Sequence, residues 1–75
     1  MNMKNNEQSR ERFKRLATQR TNAVLQKLKV LGNCSNRSAY DYTEEEINKI
    51  FSEIERRVRE IKAKFHFPKN REFKL

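Results

Sequence analysis

Tryptophan is absent from this 75-residue chain, and glycine, proline, cysteine and histidine occur once each. With turn formers so scarce, a strand-rich sandwich or a collagen-like repeat is excluded. No apolar run exceeds three residues (Ala23 to Leu25), too short for a membrane span. A lone cysteine, Cys34, rules out an intrachain disulfide and a cysteine-rich metal centre, and reducing surroundings disfavour a disulfide between chains. The first fifteen residues are polar almost throughout, so neither a secretory signal nor a lipid anchor is expected, and the default compartment is a cytoplasm. The length allows one small domain and no large enzyme fold.

What the chain has in quantity is charge. Charged residues make up 37% of it, the mean hydropathy is -1.13, and 18 Lys and Arg against 10 Asp and Glu give a net +8. An anionic partner, either nucleic acid or an acidic protein surface, would suit that balance. The charge is uneven: residues 1–31 carry +6, residues 32–46 carry -3, residues 47–66 carry +3, and the tail from 67 adds +2.

Two amphipathic stretches organise the rest. Phe13, Ala17, Val24, Leu28 and Leu31 share a narrow arc at 3.6 residues per turn, with Leu16, Ala23 and Leu25 on its shoulders, which predicts a helix over about 7–31. Gly32 is placed to end it in the left-handed conformation that follows many helices, with Lys27 and Lys29 against the negative end of the dipole. Residues 32–42 lack an apolar period and are rich in Asn and Ser, the composition of an ordered loop. A second helix then starts on three agreeing signals: Thr43 as N-cap, Glu46 completing a capping box, and Tyr42 with Ile47 as a hydrophobic staple. Ile47, Ile50, Phe51, Ile54, Val58, Ile61 and Phe65 form its uninterrupted stripe. Glu53 with Arg57, Glu55 with Arg59 and Glu60 with Lys64 are spaced to pair on the exposed faces. Pro68 disfavours helical geometry in Phe67, so the end is expected near Phe65 or His66. Residues 1–6 are expected to be a flexible N-terminus and residues 68–75 a basic C-terminal tail.

Two helices can cover only one another, and a hairpin of this size leaves much of each stripe facing water. The expected architecture is therefore all-α: a single helical-hairpin domain over 7–67 that homodimerises into a four-helix assembly. Phe13, Val24 and Leu28 are expected in its interface with Ile50, Phe51, Ile54, Val58, Ile61 and Phe65.

Catalysis needs convergent groups of matched acidity, and the chain offers one His, one Cys and no glycine-rich phosphate loop. His66, near a helix end, reads as a dipole-favoured, solvated imidazole rather than a general base. Cys34, with only Arg37 as a nearby cation, reads as a small turn residue rather than a nucleophile. The carboxylates at 44–46 lack a His or an EF-hand spacing. No enzyme, cofactor, metal or small-molecule substrate is expected. Arg20 falls in the apolar arc of the first helix and has two readings. Its stem packs inward while the guanidinium bonds loop carbonyls or Asp41, or else Arg20, Asn22, Asn33, Asn36, Arg37 and Tyr40 form a polar surface for a partner. Arg10, Arg12, Lys14 and Arg15 read as a solvated face or as a nucleic-acid patch.

Arg20-Thr21-Asn22, the string from Leu31 to Ser38, Tyr40-Asp41-Tyr42-Thr43 and Lys49-Ile50-Phe51 resemble very short proteins of phages and other bacterial mobile elements. In particular, the pattern is similar to the Hachiman anti-defence family, small phage proteins that inhibit a helicase-containing immune system. The likeness covers roughly residues 11–65, leaves both tails outside, and carries no catalytic signature. Where Cys34 stands the family more usually has an aliphatic residue, which weighs further against a thiol function. The resemblance implies a homodimer that binds and inhibits a host defence complex in the bacterial cytoplasm. A small basic dimer that binds nucleic acid is the alternative.

Overall fold

The computed structural model describes residues 5–67 together with Phe73 and Leu75. Every regular element among them is helical, as an all-α chain requires: α1 spans Asn5–Gly32, a 3-10 turn spans Asn33–Ser35, and α2 spans Glu44–Lys62. The chain divides between Asp41 and Tyr42 into two compact units, one built on α1 and its following turn, the other on α2.

α1 is rich in Arg, Lys, Gln, Glu, Leu and Ala and has no interior Gly or Pro, a composition whose propensity favours a helix. It begins two residues before the expected start, so Asn5 and Asn6 belong to the helix rather than to a flexible end. Its other end corrects a sharper expectation. Gly32 is not left-handed: at φ -60° and ψ -24° it is the last α-helical residue, and the backbone tightens into the 3-10 turn. The reason is that terminal helix carbonyls can be satisfied by i to i+3 bonds as well as by a left-handed cap, and Asn36 N–H donates to the Asn33 carbonyl at 3.5 Å. Asn36 then turns extended, at φ -72° and ψ 104°, and stops the winding.

α2 begins as its sequence predicts. Glu46 N–H donates to Thr43 Oγ1 at 3.1 Å, and Thr43 N–H donates to Glu46 Oε1 at 2.9 Å, a complete capping box. Tyr42 and Ile47, the proposed staple pair, are both half-buried. The helix closes at Lys62, earlier than the expected 65 or 66. Lys64 N–H reaches the Ile61 carbonyl at 3.0 Å and Phe65 N–H the Lys62 carbonyl at 3.1 Å, so the chain has already tightened to three-residue turns. Phe65 therefore lies just past α2 rather than on it. The expected contribution of Pro68, and most of the tail from 68, lie outside the described residues, as do residues 1–4.

Among the described residues none is buried. Leu16, Ala17, Leu31, Tyr42, Ile47 and Ile54 are partly covered, and the other apolar side chains are exposed. No helix is long and apolar enough to cross a membrane among the described residues.

Candidate functional site

Three surfaces carry the residues singled out from the sequence. The first is the turn after α1, and it is organised by Asn36. Its side-chain Oδ1 accepts from Ser38 N–H at 3.1 Å and from Ser38 Oγ at 2.6 Å, while its carbonyl accepts from Ala39 N–H at 3.0 Å and Tyr40 N–H at 2.9 Å. This is the local bonding by which a short amide side chain replaces backbone partners in a turn. Arg37 stands within 3.8 Å of Asp41, so the acid that the sequence offered to Arg20 is approached by Arg37 instead. Tyr40 presents an exposed ring, and Asn33 and Cys34 are exposed in the 3-10 turn.

Arg20 and Asn22 do not join that turn. Both are exposed on α1, and the helical rise sets Asn22 about 16 Å along the axis from Asn33. The six polar candidates therefore fall into two groups: Asn33, Asn36, Arg37 and Tyr40 on the turn, Arg20 and Asn22 on the helix. Arg20 is not drawn inward, and it makes no ion pair among the described residues.

The second surface is the set of cations on α1. Arg10, Arg12, Lys14, Arg15, Arg20, Lys27 and Lys29 are all exposed and spread around the helix, with Arg20 on its apolar arc. Among the described residues none of them is matched by an acidic partner. A shallow depression bounded by Gln8, Glu11, Arg12 and Arg15 lies on this one helix and is wide open to solvent, without the enclosure that a small-molecule site needs.

The third kind of surface is apolar, with one stripe on each helix. Phe13, Val24 and Leu28 of α1 are exposed, and so are Ile50, Phe51, Val58 and Ile61 of α2 and Phe65 beyond it. Ile54, at the middle of the α2 stripe, is half-buried. Leu25 and Val30 of α1, which were not among the expected interface residues, are exposed as well, at 55% and 50%. They spread the apolar surface of α1 over a wider arc than that of α2.

Beside the stripe of α2, from one flank toward the back of the helix, lies an ion-pair ladder that spacing alone resolved only in part. Arg57 Nε binds Glu53 Oε2 at 2.9 Å, as predicted. Arg56 was not assigned a partner, yet it bridges Glu53 at 2.7 Å and Glu60 at 2.6 Å, so Glu60 is held from its N-terminal side rather than by Lys64. Hydrogen bonds from Arg57 and then Arg56 hold the Glu53 carboxyl below the usual glutamate range. The i, i+3 spacing of Glu53 and Arg56 was the available signal.

Cys34 is a free, exposed thiol, and His66 is exposed after α2. Among the described residues no three His, Cys, Asp or Glu side chains stand together in a metal-holding group. Neither a protein-family model nor a curated protein nor a solved structure matches the chain.

Proposed function

We propose that the protein works by binding and not by catalysis: a helical hairpin pairs with a second copy into a four-helix assembly, and that dimer inhibits a bacterial antiphage defence complex of the Hachiman type. The observation that carries the binding role is that no described residue is buried while α2 keeps its apolar side chains on one face. An amphipathic helix of 19 residues gains most of its stability from covering that face. The inhibitory role is supported by the resemblance of the Arg20–Asn22, Leu31–Ser38, Tyr40–Thr43 and Lys49–Phe51 strings to the anti-defence family. The surface offered to the defence complex is the turn, with Arg37 and Tyr40 outward and Asn36 holding the backbone beneath them.

A second reading, a nucleic-acid binder, is favoured by one observation: the cations of α1 are exposed and lack acidic partners among the described residues. The two readings are separated by paired variants. Arg37→Ala with Tyr40→Ala is expected to abolish rescue of phage growth in a host carrying the Hachiman system while leaving helicity unchanged, and Arg12→Gln with Lys14→Gln is expected to matter less. Tight binding of plain duplex or single-stranded nucleic acid that weakens steeply with salt, without any rescue, would support the second reading instead.

A further inference from the structure

The stripe of α2 has a symmetry that its charges share. Ile47, Phe51, Ile54, Val58 and Ile61 are spaced four, three, four and three residues apart, the alternation of a coiled-coil seam. Reversing α2 about Ile54 lays Ile47 over Ile61, Ile50 over Val58, and Ile54 over itself. All five lie within the helix, on one side, and none is buried.

The flanks of the stripe decide the direction of whatever covers it. Glu44 and Lys62 are eighteen residues apart, five full turns, and therefore stand on the same flank at opposite ends. Glu46 stands on the other flank at the start of α2, and Lys64 follows two residues past its end. The start of α2 is acidic at Glu44, Glu45 and Glu46, and its last turn is basic at Arg59 and Lys62. The ion pairs of α2 join Glu53, Arg56, Arg57 and Glu60, and they leave Glu44, Lys62 and Lys64 without an ion-pair partner among the described residues.

We infer that the occupant of this stripe is the α2 of a second copy, running antiparallel about a two-fold axis at Ile54. This rests on the dimer reading above and gives it a geometry. Like flank faces like flank in an antiparallel pair, so Glu44 meets Lys62 of the other copy, and the contact occurs twice by symmetry. The helix dipoles also oppose one another. In a parallel pair the three glutamates of both copies would crowd one end and the cations the other. The antiparallel arrangement has two like-charge meetings near the axis: Glu55 against itself, with Arg59 one turn away to offset it, and Glu53 against itself, offset by the Arg56 and Arg57 already paired with it.

The test uses the full chain in a Cys34→Ser background with a spin label at Glu45→Cys, on the outward face. Antiparallel pairing places the two labels about 27 Å apart along the axis in addition to their separation across the pair, whereas parallel pairing leaves only that separation, the interhelical spacing of about 10 Å plus the reach of the two outward side chains. A long distance in a sample that light scattering shows to be dimeric is the expected result. A short distance in a dimer overturns the orientation and spares the dimer; a monomer overturns both. Charge reversal reads the same geometry without a label. Glu44→Lys alone and Lys62→Glu alone are each expected to weaken dimerisation roughly tenfold, and the double variant to restore it, because each new cation then faces a new anion. A double variant weaker than either single one would refute the antiparallel register.

Discussion

Thr43 shows how far a single side chain fixes local structure. Its hydroxyl satisfies one orphan N–H of α2 and its own N–H is satisfied in return by Glu46, so Thr43→Ala is expected to cost about 1 kcal/mol, read as a lower thermal midpoint of helicity. Thr43→Ser, which keeps the acceptor, is expected to retain most of it. This contact was legible in the sequence because both partners lie within one turn and the geometry of a helix start leaves them few alternatives. Gly32 was not legible in the same way. A glycine after a helix can turn left-handed, but it can equally continue right-handed into a 3-10 turn, and the choice depends on where Asn36 places its bonds. The role of Asn36 was hidden for the same reason. Its sequence context marks a turn, whereas which four donors it gathers follows from the path of the backbone.

At the scale of the element, α2 is the better-specified helix. Its stripe, its cap and its charge order all agree, whereas the apolar residues of α1 spread over a wider arc. The ladder of Glu53, Arg56, Arg57 and Glu60 makes α2 sensitive to acid, and the sign can be assigned. The Glu53 carboxyl is depressed in the folded helix, so its contribution is fully present above 4.5, its ordinary value, and is lost as the pH falls through the lower folded value. Far-UV circular dichroism is therefore expected to show helicity falling on acidification below that range, and Glu53→Gln to remove part of the fall. Superimposable acid curves for the two proteins would mean that the ladder adds nothing to the helix. Sequence spacing found one of its three contacts. The others depend on which rotamer Arg56 adopts between two acids, and spacing does not encode that choice. The early end at Lys62 was missed because the expectation leaned on Pro68, while the backbone tightens several residues before it.

At the scale of the whole molecule, the all-helical class was legible because scarce turn formers and a 3.6-residue period leave little else. The grouping of polar candidates was not: Arg20 and Asn22 resemble the turn residues in chemistry, yet the rise of α1 separates them. Ile54→Asp tests the proposed dependence on a second copy, since a carboxylate in the middle of the stripe costs several kcal/mol against a total folding free energy of about 5 kcal/mol or more. Loss of helicity and of self-association together is the expected outcome by circular dichroism and sedimentation. A monomeric variant with undiminished helicity would show that the helices stand without pairing. The lack of any buried residue among those described has a further consequence, in the turnover of the protein. Helices that no core holds open locally at small free-energy cost, and proteases cut the opened form in proportion to its population. The proposed pairing would cover the stripe and lower that population, so on that reading the lifetime of each copy is governed by how much of its time is spent paired.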